Sequence, residues 1–238
     1  REYRRWRHEG IEGLAPAEDA ARAARTGDRA RKVIGTALRA LRGDGPIPDV
    51  AVIALARSED YYTFLAPHHP EEGEWATSGG TYVNLGPGAL AMIVTHTQAK
   101  WGLEETVAHE LTHHALEELS LPLWVEEGFT QMMEERVTGL ANFKLDREMV
   151  ERQRALWEER GVEGFLSGDG FFSAEEDVQE LSYHLSQWVV RSQLSERAGA
   201  FFAFAREAGE LGESESAMKH LGMTPGALVA SVGGLECE

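Results

Sequence analysis

The segment 103–129, L-E-E-T-V-A-H-E-L-T-H-H-A-L-E-E-L-S-L-P-L-W-V-E-E-G-F, decides how the rest of the chain is read. It contains His109-Glu110-Leu111-Thr112-His113, an H-E-x-x-H motif. The composition of the chain would produce such a motif by chance about 4–5% of the time, so its surroundings must carry the argument. A spacing of four on a helix sets the two imidazoles about 40° apart and about 6 Å along the axis, within reach of one zinc ion. Val107, Leu111 and Ala115 form an apolar stripe roughly 160–200° around the helix from those histidines. One face is therefore suited to a core, and the opposite face presents two histidines to a cleft. Two merely structural histidines would not need that division.

A catalytic zinc has three protein ligands and one open position for water. The third ligand is expected from a neighbouring element. Pro122 is expected to break the first helix and let the chain turn back, so that the next helix packs beside it. Glu126 and Glu127 compete for the role of ligand, because carboxylates about 100° apart on a helix cannot both face one ion.

The 238 residues are enough for one large domain or two closely packed subdomains. The single cysteine, Cys237, excludes an intramolecular disulfide framework and every cysteine-based zinc cluster, so metal chemistry must use histidine and carboxylate. The net charge of −17 argues against a nucleic-acid partner, which requires clustered Lys and Arg. The charge is uneven, +4 over residues 1–45 and −21 over the remainder. The acidic excess reads as a solvated surface, and Arg1, Arg4, Arg5, Trp6 and Arg7 read as a frayed, solvated terminus. No apolar run approaches the roughly 18–20 residues of a membrane span. The first residue is Arg rather than Met, and a trimmed N-terminus is expected.

Residues 17–42 carry apolar positions at helical spacing and end in Gly43-Asp44-Gly45-Pro46. Residues 50–56 are a short β-branched run, read as a strand; 66–80 form a polar loop; 81–85 and 90–95 read as two further strands around Gly86-Pro87-Gly88. Helical periodicity then covers 104–119, 123–138, 144–160, 175–195, 198–209, 213–221 and 224–232. The expected fold is α+β: a helix and small sheet with the H-E-x-x-H helix in a subdomain 1–119, then an all-helical subdomain 120–238 that carries the third zinc ligand. His114 is read as a satisfied core or edge histidine, His68-His69 as solvent-exposed, and Phe171-Phe172 and Phe201-Phe202 as core.

The pattern H-E-L-T-H followed by L-P-L-W-V-E-E-G-F resembles the gluzincin zinc metallopeptidases, in particular the bacterial peptidase MA-like group. Helix 17–42 leading into strand 50–56 and the segment Ser58-Glu59-Asp60-Tyr61-Tyr62 is also similar to that group. In the family a Trp-x-x-Glu-Gly segment follows the motif, and the Glu before the Gly is the third ligand. The resemblance thus implies a zincin-like fold and one zinc ion per chain, held by His109, His113 and Glu127. It implies a peptide or protein substrate, and an exported or cell-envelope location over a cytoplasmic one. Glu110, beside His109, is the natural general base for the attacking water. The family suggests a Tyr or His from the helical half as the oxyanion donor. Tyr183 in Leu181-Ser182-Tyr183-His184-Leu185 is the choice, with His184 the alternative.

Long aminopeptidases of the same clan grip the substrate's amino group with the Glu of a G-x-M-E-N segment. Gly80-Thr81-Tyr82-Val83-Asn84 and Gly86-Pro87-Gly88-Ala89-Leu90 contain no such Glu, so an endopeptidase is expected. In gluzincin-like enzymes a strand in this region, here 81–95, pairs with the extended substrate. The thermolysin-like relatives place an Asp one turn after the zinc Glu to orient a ligand His; that position here is Gln131. Two other readings stand beside the peptidase. A catalytically silent zinc-binding interaction module would be expected to have lost Glu110 or a ligand, and neither is lost. A hydrolase of a non-peptide amide would use the same zinc site.

Overall fold

The computed structural model describes residues 2–68, 79–86, 88–98 and 102–234. The architecture is α+β, a small five-stranded sheet in the N-terminal part followed by a mostly helical remainder. The strands are β1 (Tyr3–His8), β2 (Ile11–Pro16), β3 (Val50–Leu55), β4 (Gly80–Val83) and β5 (Ala91–His96), and they lie in the order β1-β2-β3-β5-β4. β2, β3 and β5 run parallel in the centre, and β1 and β4 pair antiparallel at the two edges. The helices in this region are α1 (Ala20–Ala37), α2 (Arg39–Arg42), α3 (Ser58–Leu65) and α4 (Leu103–Leu116). They are followed by α5 (Leu123–Thr138), α6 (Arg147–Arg160), α7 (Glu163–Ser167), α8 (Glu176–Leu211), α9 (Glu213–Leu221) and α10 (Pro225–Gly233).

The chain divides into two compact units, and α5 contributes residues to both. The first comprises Arg1–Arg39, Asp44–Ala115 and Met133–Leu140. Here side-chain alternation sorts the sheet into two faces. Ile11, Gly13 and Ala15 of β2 are buried on the face that α1 covers, where Gly27 of α1 packs against Ile11 and Trp6. Ile53, Leu55, Met92 and Val94 point the other way and pack with Tyr61 and Leu65 of α3.

The hairpin β1–β2 replaces the solvated terminus expected from the sequence. Trp6 lies directly against Gly13, and His8 Nδ1 is 2.7 Å from Asp28 on α1. Residues 66–80, expected as a loop, fall largely outside the described residues, as does His69 of the His68-His69 pair. The break before α5 also differs in its cause. A 3₁₀ turn, Glu117–Leu119, follows α4, and Ser120 takes the left-handed conformation at φ 47° before Pro122 is reached.

The second unit comprises Ala40–Gly43, Leu116–Met132 and Ala141–Glu238. Its core is aromatic. Trp124 is fully buried among Phe165, Phe201 and Phe204, with ring centroids 6.1–6.3 Å away. Phe171 and Phe201 are buried as expected, whereas Phe172 is 67% exposed. The breaks at 161, 212 and 222 fall on glycines at positive φ that end α6, α8 and α9. The two helices expected over 175–195 and 198–209 run together as α8, with Arg197 at φ −152° and ψ 48° marking the kink between them.

Trp124 donates its indole N–H to Glu213 Oε1 at 2.7 Å. Burial pushes the Glu213 carboxyl above its ordinary 4.5, and the indole bond offsets only part of that rise. The folded chain therefore holds this proton more tightly than the unfolded chain. Stability falls as pH rises from about 4.5 through the raised value, because the unfolded state releases the proton first. Glu213→Gln keeps an acceptor for the indole and removes the ionisation. The variant is expected to match the wild type in acid and to melt higher above that window, which thermal unfolding across a pH series will measure.

Candidate metal centre

Helix α4 is built as its sequence requires. Glu104 and Glu105 occupy the first turn, where the helix dipole favours their charge, and His113 and His114 lie in the last. Val107, Ala108 and Leu111 are fully buried, and Ala115 nearly so. On this side α4 approaches the sheet so closely that a Cβ at Gly80 of β4 would collide with Thr106. His114 is satisfied within the first unit. It is buried, its Nε2–H donates to the Pro48 carbonyl at 3.1 Å, and its Nδ1 accepts from the Tyr82 hydroxyl at 3.0 Å.

His109 and His113 leave the helix on its other side. Their ring centroids are 4.8 Å apart and their Nε2 atoms are 3.1 Å apart. The Nδ1 of His109 lies 2.5 Å from Glu134 Oε1, with both side chains mostly shielded from water. A carboxylate at Nδ1 holds the proton there, so the Nε2 lone pair of His109 points toward His113. This is the tautomer that a metal-ligating histidine needs.

The third candidate ligand depends on the register of α5. Trp124 anchors the start of the helix in its aromatic cluster. One turn later a Cβ at Gly128 would collide with Val190 and with the Ser186 carbonyl of α8, so glycine is required where the two backbones meet. These contacts fix the rotation of α5. Glu127 is 6% exposed, whereas Glu126 is only half-buried. His109, His113 and Glu127 form a group that could hold a metal ion, their ligand atoms all lying within 4.8 Å of one another. Two imidazole nitrogens and one carboxylate are a donor set that suits zinc. Glu110, 9% exposed, directly follows His109.

Glu134 is a residue that the sequence reading misses. The expected orienting position is one turn past Glu127, at Gln131, while the carboxylate that engages His109 stands two turns past it. Seven residues return to within about 20° on a helix, so Glu127 and Glu134 share one face of α5. The signal in the sequence is an i, i+7 pair of carboxylates. Glu134→Gln should keep the helix intact and weaken metal binding by about 10–100-fold. Competition with a chromophoric chelator measures this. An unchanged affinity would mean that Glu134 does not orient His109.

Tyr183 lies on α8, half-buried and edge-on to Phe171 at 5.1 Å. Its neighbour His184 is committed elsewhere in the helical unit. The His184 ring stacks on Phe143, its Nε2–H donates to the Lys144 carbonyl at 2.9 Å, and its Nδ1 accepts from the Gln153 amide at 3.1 Å. Burial lowers the pKa of His184, so the ring is held neutral with both nitrogens occupied. Comparison with known protein families finds no matching model, and comparison with curated proteins finds no match.

Proposed function

We propose that this protein is a zinc-dependent metallopeptidase of the gluzincin, peptidase MA-like type with a zincin-like fold, cleaving internal peptide bonds. The observation that carries the reading is the group His109, His113 and Glu127 with Glu110 adjoining the first of these ligands. Three protein ligands leave the open position that a catalytic site needs. Held by His109, His113 and Glu127, zinc would supply Lewis-acid polarisation of the scissile carbonyl and would lower the pKa of water toward about 7.

The remaining steps belong to the chain's own residues. Glu110 takes the proton of the attacking water and delivers it to the leaving amine. Glu134 keeps His109 in the tautomer that presents Nε2. Tyr183 donates its phenol hydrogen to the oxyanion, a role for which His184, with both ring nitrogens engaged, is poorly placed. Strand β4 is the last in the sheet order, a position from which an extended substrate can be added as a further strand. Among the described residues no helix is long and apolar enough to cross a membrane.

Zinc quantification on the purified protein, with peptide-library cleavage in the presence and absence of a chelator, tests the assignment. The expected result is one zinc per chain and chelator-sensitive cleavage that N-terminal acetylation of the substrate leaves largely unchanged. Near-complete loss on acetylation would indicate an aminopeptidase. Tyr183→Phe is expected to lower kcat by about 10²-fold with KM nearly constant, because the phenol acts on an oxyanion present only after attack. A lowered melting temperature with kcat intact would make Tyr183 a packing residue against Phe171.

A further inference from the structure

Arg22, Arg25 and Arg29 stand three and four residues apart on α1, and so share one face of that helix. They line a groove of about 620 Å³ within the sheet-bearing unit. That volume falls in the range of about 300–1,000 Å³ common to ligand sites. Val137 and Leu140, at the end of α5, give the groove an apolar part, and Glu104 and Glu105 of α4 complete its charged lining.

These charges are not equivalent. Arg22 is already engaged, 3.2 Å from Asp19 and 3.6 Å from Glu104. The Glu105 carboxylate folds back over Gly102 at the start of α4, where the helix dipole favours it. Arg25 and Arg29, both exposed, form no ion pair or hydrogen bond among the described residues. A guanidinium nitrogen of Arg29 comes to 4.0 Å of a Cβ position at Gly139, so this arginine also complements the carboxyl end of α5. Two guanidiniums one turn apart, beside Val137 and Leu140, suit a carboxylate flanked by apolar groups.

The groove is aligned with the metal-ligand faces. Glu105, His109 and His113 follow one another at intervals of four on α4, and Thr138 follows Glu134 by four on α5. Along both helices the groove therefore begins one turn, about 6 Å, from the His109–Glu134 pair. A chain with net charge −17 has no general attraction for acidic peptides, so any preference for them must arise locally.

We propose that Arg25 and Arg29 form a subsite selecting peptides that carry a Glu or Asp side chain close to the scissile bond, a specificity that rests on the peptidase reading of the metal centre. The probe is an eight-residue, fluorescein-labelled alanine–leucine peptide with two glutamates, compared with its twin carrying glutamine at both places. Anisotropy titration of the Glu110→Gln protein, with and without zinc, measures binding apart from cleavage. The glutamate peptide is expected to bind at least 10-fold more tightly than its twin, with the gap shrinking in high salt. The gap should persist without zinc and vanish in the double variant Arg25→Gln, Arg29→Gln, which should stay folded with its melting temperature lowered only slightly, by the loss of Arg29 from the carboxyl end of α5. Equal affinities, or a gap that survives in the double variant, would overturn the subsite. Cleavage separates the two ideas: a wild-type protein that binds the glutamate peptide through these arginines yet hydrolyses neither peptide would refute the peptidase reading and leave the groove's preference standing.

Discussion

Glu110→Gln is expected to lower peptide turnover by about 10²–10⁴-fold while leaving the metal content of the protein unchanged. Gln has the size and shape of Glu, so the packing of a side chain only 9% exposed is kept. It cannot accept the proton of the attacking water, nor return one to the leaving amine. Glu110 is not among the three side chains grouped as ligands, which is why occupancy and activity should separate in this variant. The loss should fall on kcat, since the proton moves only in the transition state. A variant that keeps both its zinc and its rate would assign Glu110 another role and leave the hydrolytic mechanism without a base.

His113→Ala and Glu127→Ala should each strip the protein of metal, whereas Glu126→Ala should largely spare it. Removing one of three ligands leaves two, and a closed set of two holds zinc poorly. The loss of affinity should exceed the roughly 10–100-fold expected when an outer partner such as Glu134 is changed. The contrast between adjacent carboxylates reads out the rotation of α5. Trp124 in its aromatic pocket and Gly128 against the Ser186 carbonyl hold the helix so that Glu127, not Glu126, joins the histidines. Elemental analysis of the three dialysed variants decides it. Metal lost from Glu126→Ala and kept by Glu127→Ala would shift the register by one residue and remove the likeness to the gluzincin pattern.

Much of this arrangement was legible because it is local. The apolar stripe Val107, Leu111, Ala115 marks the buried face of α4 in sequence as it does in structure, and the positive-φ glycines 161, 212 and 222 end helices where the periodicity stops. The β1–β2 hairpin was not legible. Arg4, Arg5 and Arg7 make an edge strand look like a solvated tail, because charged side chains are what keep an exposed edge from pairing with other chains. Its two-residue turn uses Glu9 at φ 42° before Gly10 at φ 80°, where Asn or Asp would have been the recognisable signal. The break expected between 195 and 198 was legible, since the helix is interrupted at the non-helical Arg197, whose guanidinium bonds Gln193 and the Leu221 carbonyl. Glu134 escaped because its partner, His109, is 25 residues away and belongs to a different helix.

Metal-dependent hydrolysis is decided by the rate of peptide cleavage by one preparation as isolated, after removal of metal with a chelator, and after addition of one equivalent of zinc. Cleavage of internal bonds is expected in the first state, none in the second, and recovery in the third, with zinc measured at one per chain through His109, His113 and Glu127. Cleavage that continues undiminished in the metal-free protein, or a protein that binds no zinc, would contradict metal-dependent hydrolysis.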